Sequence, residues 1–172
     1  MAIPYRYIHF FGKLEPALNY AALSLNNQGR GNNMAKMYFG HPINTYNTPL
    51  ESELIAKISE TFPGWYVVNP NQEHHQKGYQ SWKAKYGNGM DYYYKEVLPW
   101  CNAGIFLPFR DGNWGAGIFG EAEFLDQRGG LIYQISYDMK ISRIGDLNRI
   151  KVLSIEKTRL RIRTTSDEVA PY

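Results

Sequence analysis

The stretch DGNWGAGIFGEAEFL, residues 111–125, combines a flexible backbone with an acid inside an apolar run. Gly115, Gly117 and Gly120 straddle the junction between a predicted loop and a predicted helix, and Glu121 falls near the first turn of that helix. A helix N-terminus exposes unpaired N–H groups and the positive end of a dipole, which suits a phosphate and favours an ionised carboxylate. Such a carboxylate can attack the anomeric carbon of a sugar or stabilise the positive charge that develops there. The alternative is a loop followed by a helix with an exposed acid.

The glycine pattern differs from two common phosphate-binding motifs. No Gly-Lys-Ser or Gly-Lys-Thr follows it, which excludes a P-loop. It follows the third predicted strand rather than the first, which disfavours a dinucleotide-binding fingerprint. The spacing alone therefore leaves the role of the loop open.

A second group of candidate residues ends the first predicted strand. Gly40-His41-Pro42 is a tight turn, and a glycine there lets a ligand or a backbone come close. His41 could contact a phosphate or hydroxyl of a substrate, or could serve only the turn. Tyr38 lies inside the strand, where a buried hydroxyl needs a partner. A carboxylate near the strand end would provide one.

Two further motifs carry polar side chains that could do chemistry. Asp91 opens the predicted helical stretch DYYYKEV, either as its N-cap or at the rim of a pocket. The pair His74-His75 suggests a metal site, but the only cysteine, Cys101, is far away in the sequence and has no paired spacing. We therefore expect no metal, and we interpret residues 69–78 as a polar, mobile loop over the site.

The elements that must position these groups alternate between strands and helices. Strands are predicted at residues 34–40, 65–68, 103–109 and 131–137, and helices at 49–62, 90–101 and 118–127. The first helix has the start signals of an N-cap, with Thr48 followed by Pro49 and Glu51. This alternation predicts an α/β fold with a parallel sheet and helices on both faces. Ligands of such sheets bind at the carboxyl ends of the strands, where the strand order reverses.

The basic tail KVLSIEKTRLRIR, residues 151–163, alternates apolar and basic side chains. This pattern predicts an extra C-terminal strand at an edge of the sheet. Such a surface could bind nucleic acid, but no glycine–aromatic RNA motif accompanies it. We favour a solvated strand face and do not expect nucleic acid as a partner.

Composition indicates one folded domain that begins near Met34. The chain has 172 residues, of which 44% are hydrophobic, 20% charged and 15% aromatic, as is typical of a globular protein. Residues 1–33 have no sustained hydrophobic period and end in the polar stretch NNQGRGNN. We interpret them as an N-terminal appendage, disordered or upstream of the true start; a folded accessory arm is the alternative. Residues 34–172 then form the α/β domain.

Charge and cysteine content limit the environment and the partners. The net charge is +3, and a single cysteine excludes an intramolecular disulfide. This favours a reducing compartment, and we expect a cytoplasmic protein. No apolar run approaches the ~20 residues that a membrane span needs. The start of the chain also lacks the pattern of a signal peptide, so we expect no membrane partner.

Three segments together resemble the nucleoside 2-deoxyribosyltransferase-like family, which includes related nucleotide N-glycosidases. MYFGHP (37–42) is similar to the first strand of that family, which carries a Tyr and ends in a Gly-containing turn. NAGIFLPFRDGNWGAGIFGEAEF (102–124) resembles its apolar strand, loop and Gly-Thr-x-x-Glu element, which reads GIFGE here. MDYYYKEVL (90–98) lies where the family has a helix with an Asp that faces the pocket. The resemblance covers residues 34–137.

The resemblance implies a flavodoxin-like fold, catalysis without a cofactor, a small-molecule nucleoside or nucleotide as substrate, and a homo-oligomer. By the resemblance, Glu121 would be the nucleophile that displaces the base from C1′. Tyr38 would orient that carboxylate, and Asp91 would give a proton to the departing base. The sugar with its 5′ group or phosphate would be held by residues of two loops: Gly40, His41, Pro42, Asn113, Gly115 and Gly117. Transfer to a second base gives a transferase, and attack by water gives a hydrolase.

The chain departs from the family pattern at three positions. Gly115 stands where the family usually has an Asp, two residues before the Gly-Thr-x-x-Glu element, and Asp111 or Asn113 is the candidate substitute. Ile118 replaces the Thr of that element, and Asn102 stands where the family often has an Asp. A nucleotide-binding or sensor protein of the same fold, without catalysis, is therefore the alternative function.

Overall fold

A computed structural model describes residues 34–171, and the appendage predicted for residues 1–33 lies outside them. Five strands of the described range form a sheet with the order β2-β1-β3-β4-β5. They are β1 (Lys36–Gly40), β2 (Tyr66–Val68), β3 (Ala103–Phe106), β4 (Leu131–Ile135) and β5 (Ile141–Ile144). The first four are parallel, and β5 is antiparallel to β4. This confirms the flavodoxin-like α/β fold, in which the strand order reverses between β1 and β3.

The helices that follow these strands have the bounds α1 (Pro49–Thr61), α2 (Glu73–Tyr86), α3 (Met90–Tyr92), α4 (Ala116–Gln127) and α5 (Ile155–Ile162). A π turn (Tyr93–Val97) and a 3-10 turn (Leu98–Trp100) continue α3. The predicted start of α1 is confirmed, since Oγ1 of Thr48 accepts from the N–H of Glu51 and Pro49 is the first helical residue. Within residues 34–171, no helix is both long and apolar enough to cross a membrane.

Alternate residues of β1 contribute to two separate hydrophobic cores. Met37 and Phe39 pack with Leu54 and Ile58 of α1. Tyr38 points to the opposite face, where it packs in a cluster with residues of α4 and the π turn. Helices therefore cover both faces of the sheet, and Tyr38 is directed towards α4.

Residues 69–78 were predicted to be a polar loop, but residues 73–78 form the first part of helix α2. Gly78 lies inside this helix, and a Cβ at this position would overlap the ring of Tyr92. Gly78 therefore lets α2 and α3 approach closely. The helix ends at Tyr86 and is followed by Gly87, which has the left-handed φ of 79° that favours glycine at a helix C-terminus.

The tail at residues 151–163 was predicted to be an edge strand and is mainly the helix α5. Oγ of Ser154 accepts from the N–H of Lys157 and so caps the helix, a local bond that the alternating pattern did not reveal. The extra strand exists, but it is β5, which pairs with β4 through a turn in which Met139 has a φ of 61°. The fold prediction is thus correct in class and wrong in the position of its last strand.

Candidate active site

The side chains of Tyr38 and Glu121 meet at the point where the strand order reverses. Tyr38 lies on β1 and Glu121 on α4, and the Tyr38 hydroxyl donates a hydrogen bond to Oε1 of Glu121 over 2.8 Å. Tyr38 is 0% exposed and Glu121 is 6% exposed. The two groups predicted from sequence to act together are therefore in direct, buried contact.

The second oxygen of the Glu121 carboxyl faces the backbone of Gly40, at the carboxyl end of β1. A Cβ at Gly40 would lie 3.1 Å from Oε2 of Glu121 and would overlap the ring of Phe106. Any other residue at position 40 would therefore push against the acid and its aromatic neighbour. The close approach predicted at this glycine is thus made, in the protein itself, by Glu121 and Phe106.

Burial controls the charge state of Glu121. It raises the pKa of the carboxyl to about 8, and the hydrogen bond from Tyr38 lowers the pKa by a smaller amount. We expected the helix dipole to favour the ionised form, but α4 begins at Ala116, so Glu121 lies in the second turn. The dipole acts within the first turn, and desolvation therefore decides the pKa in the free protein.

Three further phenols lie close enough for the charge of Glu121 to act on them. Burial raises the pKa of Tyr46 and Tyr93, with a contribution from Glu121, and raises the pKa of Tyr94 to about 12. The rings of Tyr38 and Tyr93 pack edge to face with their centroids 6.4 Å apart. All these phenols keep their protons at neutral pH, so the acid is surrounded by apolar ring faces and neutral hydroxyl groups.

His41 is buried and contacts the protein through both ring nitrogens. Nδ1 lies 3.0 Å from the carbonyl oxygen of Phe39, and Nε2 lies 3.1 Å from Oε1 of Glu51. Its ring stacks on Phe39 with the centroids 4.1 Å apart. Pro42 is also buried, and its carbonyl oxygen accepts from Thr45. These contacts agree with the view that His41 and Pro42 hold the turn.

Glu51 is the centre of a buried polar cluster that sequence analysis missed. Besides His41, its carboxylate accepts from Nδ2 of Asn69 at 2.9 Å, from Nδ2 of Asn71 at 2.9 Å and from the N–H of Asn47 at 2.7 Å. These hydrogen bonds outweigh burial and lower the pKa of Glu51 to about 2. In the sequence, Glu51 was explained by its place in the helix-start motif. No pattern in the sequence indicated that it also holds a buried polar cluster.

Asp91 lies near the surface at the start of α3. Nδ2 of Asn88 donates to its Oδ1 at 2.9 Å, and Nζ of Lys95 lies 3.4 Å from its Oδ2. Its side chain is 38% exposed. No hydrogen bond within residues 34–171 joins Asp91 to Glu121 or Tyr38. Its predicted role as a proton donor stays a prediction.

The N-terminus of α4, where a sugar 5′ group was predicted to bind, meets the C-terminal helix. Gly115 is the N-cap residue and is buried, and the N–H of Ala116 donates to Oγ1 of Thr158 at 2.9 Å. A Cβ at Gly115 would lie 3.1 Å from Cγ2 of Thr158. Gly117 is exposed, with open space where a Cβ would stand. Thr158 therefore takes the first N–H group of the helix.

Asp111 and Asn113 organise the loop before α4. Nδ2 of Asn113 donates to Oδ2 of Asp111 at 2.6 Å. Arg161 of α5 donates through both Nη atoms to the two carboxylate oxygens, at 2.8 and 2.7 Å. The hydrogen bonds from Arg161, and to a lesser extent those from Asn113, hold the pKa of the Asp111 carboxyl well below its usual range. Thr158 and Arg161 escaped sequence analysis because the tail was taken for a strand.

The pair His74-His75 lies at the start of α2. His75 is buried, and its Nδ1 lies 3.1 Å from the hydroxyl oxygen of Tyr92. Burial lowers the pKa of His75 to about 4. In the described part of the chain, no group of three or more His, Cys, Asp or Glu side chains is arranged to hold a metal ion.

No family model, no curated protein and no solved structure matches this chain. A buried carboxyl that is held by a phenol at one oxygen and faces a glycine at the other can serve as a positioned nucleophile or as a proton carrier. Its raised pKa means that ionisation is coupled to pH or to the arrival of positive charge.

Proposed function

We propose that the protein cleaves or transfers the N-glycosidic bond of a nucleoside or nucleoside 5′-monophosphate, with Glu121 as the nucleophile. The observation that carries the proposal is the buried hydrogen bond from Tyr38 to Oε1 of Glu121, at the carboxyl end of β1 beside the strand-order reversal. Open α/β sheets bind their ligands at this point. The resemblance to deoxyribosyltransferases, based on sequence, gives these two residues the same roles.

The proposed reaction has two steps. The ionised Oε2 of Glu121 attacks C1′ of the sugar, and the C1′–N bond breaks with its electron pair going to the base. The base takes up a proton as it leaves, and Asp91 is the proposed donor. Water or a second base then attacks C1′ and gives its proton to the Asp91 carboxylate, and the C1′–O ester bond breaks with its electron pair returning to Glu121 as the carboxylate. The positive charge that develops at C1′ favours ionisation of the acid.

Release of free base from a panel of deoxynucleosides, ribonucleosides and their 5′-monophosphates tests the proposal. We expect Glu121→Gln to lower kcat/KM by about a thousandfold or more, as loss of a nucleophile does. Glu123→Gln is the matched control, because Glu123 lies on the same helix and is exposed. A sugar adduct on the peptide that contains Glu121, detected by mass spectrometry after rapid quenching, would support the covalent step. Absence of turnover on the whole panel would contradict the proposal.

A second candidate function is nucleotide binding without catalysis. Gly115 in place of the acid of the family motif favours it, and so does the pKa of Glu121 of about 8, which leaves the acid mostly protonated at neutral pH. Calorimetry distinguishes the two functions, since a sensor would bind a nucleotide tightly and leave it intact after prolonged incubation. Assembly into a homo-oligomer is a further proposal, which sedimentation of the full chain tests.

A further inference from the structure

Two buried acids lie near the end of β1, and their partners differ. Glu51 is 5% exposed, and its carboxylate contacts His41 and accepts from three nitrogen donors. Glu121 is 6% exposed, and its one hydrogen bond within residues 34–171 comes from Tyr38 to Oε1. None of the ion pairs in this range includes Glu121. Because buried charges in proteins are paired, the ionised form of Glu121 needs a cation that the described domain does not supply.

The second carboxyl oxygen of Glu121 can be reached by a ligand. Oε2 makes no hydrogen bond within the described part of the chain. The unpaired polar atoms that are wholly shielded there are Oδ1 of Asn44 and Nε1 of Trp82, and Oε2 is not among them. The small exposed fraction of Glu121 therefore includes Oε2, the oxygen that faces Gly40 at the end of β1.

The titratable groups that face Glu121 are uncharged phenols. Its charge raises the pKa of Tyr38 on β1, of Tyr46 in the turn after β1, and of Tyr93 and Tyr94 on the π turn, and burial raises each of them further. These phenols keep their protons at neutral pH. They can donate hydrogen bonds to a carboxylate, but they cannot neutralise its charge.

An organic cation fits these surroundings better than a metal ion does. A metal site needs several carboxylate, imidazole or thiolate ligands, and no group of three such side chains occurs in the described residues. A monovalent organic cation needs one carboxylate. The half-buried phenols Tyr46 and Tyr94 suit the carbon atoms of such a ligand. Its charge would stabilise the ionised form of Glu121, which burial opposes in the free protein.

We propose that Glu121 selects substrates whose base is a cationic ring, joined to the sugar as an N-glycosylpyridinium or N-glycosylimidazolium. This inference rests on the proposed function and adds the substrate class to it. The ring nitrogen is bonded to C1′, so the positive charge and the atom that Oε2 attacks arrive together. The C1′–N bond breaks with its electron pair neutralising the ring, and the base leaves uncharged. This step needs no proton from Asp91, which is paired with Lys95 at the surface.

Binding of 1-methylnicotinamide, whose methyl group takes the place of C1′, tests the cation site without turnover. Uncharged nicotinamide is the matched ligand. At about pH 6.5, below the Glu121 pKa of about 8, calorimetry in buffers of different ionisation enthalpy should detect release of about one proton for each cation bound. The cation should bind about tenfold more tightly than nicotinamide, or better.

Two variants assign this preference to the buried acid. Glu121→Gln should lose both the preference and the proton release, whereas Glu123→Gln, exposed on the same helix, should keep them. Failure of the cation to bind, equal binding of the two ligands, binding without proton release, or a preference that persists in Glu121→Gln would each overturn the inference.

Turnover separates the inference from the proposed function. For nicotinamide riboside and for inosine, kcat/KM is divided by the rate constant of the uncatalysed reaction, which corrects for the easier departure of a cationic base. This ratio should be about tenfold larger for nicotinamide riboside, or more. An equal or larger ratio for inosine would overturn the inference and leave the proposed function intact. If 1-methylnicotinamide binds as expected and neither nucleoside is cleaved, the proposed function fails and the cation site stands.

Discussion

Gly40 and Oε2 of Glu121 are so close that a single added carbon on the glycine would lie 3.1 Å from the carboxyl oxygen. The same carbon would overlap the ring of Phe106, which packs on Tyr38 with the centroids 6.3 Å apart. Position 40 thus joins the end of β1 to the acid and to the aromatic residues beside it. The geometry of the acid depends on a residue that has no side chain.

Gly40→Ala should disrupt both the site and the fold. Overpacking of a close-packed interior costs about 1–3 kcal/mol, and we expect a loss of that size in the free energy of unfolding, with loss of activity. Urea denaturation measures the loss as a lower midpoint at an unchanged slope. Gly145→Ala is the control, since a Cβ there meets open space. If the two variants had equal free energies of unfolding, the side chains of Glu121 and Phe106 would be able to move aside for the added methyl group without loss of stability.

Glu121 should make the protein less stable as pH rises. Its folded pKa of about 8 lies above the ordinary value of 4.5, so between these values the folded state holds a proton that the unfolded state has lost. The free energy of unfolding should therefore fall through this window, by up to about 5 kcal/mol from this group alone. Above pH 8 the contribution levels off.

Glu121→Gln isolates this effect, because a neutral amide has no ionisation penalty and can still accept from Tyr38. At pH 8 the variant should unfold at higher denaturant concentration than the wild type, and the two should converge near pH 4. Glu123→Gln, on the exposed side of α4, should follow the wild type at every pH. If the free energy of unfolding of the wild type and of Glu121→Gln changed with pH in parallel, the acid would be ionised in the folded protein and its pKa would not be raised.

The proposed reaction should speed up as pH rises towards 8, because the nucleophile must be ionised and kcat/KM reports the free enzyme. Tyr38→Phe removes the hydrogen bond that lowers the Glu121 pKa, so the rising limb should move to higher pH. The rate at neutral pH should fall by about tenfold or more. If the rising limb of the pH profile lay at the same pH in Tyr38→Phe as in the wild type, the phenol would not stabilise the carboxylate.

Asp91→Asn tests the predicted proton donor. If Asp91 protonates the departing base, the variant should lose about a hundredfold or more in rate with a base that leaves poorly, and less with a base that leaves easily. Lys95→Ala removes the ion pair that Asp91 makes on the surface of α3 and is the control for structure. An equal, small effect on all bases would assign the proton transfer to another group.

Local patterns in the sequence predicted the parallel sheet, and the family resemblance predicted the pair of Tyr38 and Glu121. The alternation of strands and helices predicted a parallel sheet with helices on both faces, and Tyr38 and Glu121 each belong to an element that ends or begins at the carboxyl edge of that sheet. A buried phenol that requires a partner and an acid in an apolar run are both informative about burial. The resemblance then paired these two residues, which are far apart in the chain, and the structure brings them into contact.

The remainder depended on contacts that local patterns do not encode. Residues 69–78 were predicted to be a loop, and the close contact that Gly78 makes inside α2 is with the ring of Tyr92, which belongs to the next helix. Thr158 and Arg161 act through α4 and its preceding loop, and an alternation of apolar and basic residues fits a strand as well as a short helix. The pKa of Glu121 depends on tertiary burial, and the helix dipole that the sequence indicated does not decide it because Glu121 lies in the second turn of α4.

Glu51→Gln should destabilise the turn that carries Gly40, because the amide nitrogen of glutamine would face donors on either side of the original carboxylate. We expect a loss of about 1–3 kcal/mol at neutral pH. The folded pKa of Glu51, about 2, lies below the ordinary 4.5, so its contribution is complete above pH 4.5 and is lost as pH falls towards 2. Glu53→Gln, exposed on the same helix, is the matched control.

The free energy of unfolding, measured as pH falls from 4.5 towards 2, should decrease in the wild type and in Glu53→Gln and should decrease less in Glu51→Gln. If all three proteins lost the same stability over this range, the cluster would not depend on the charge of Glu51.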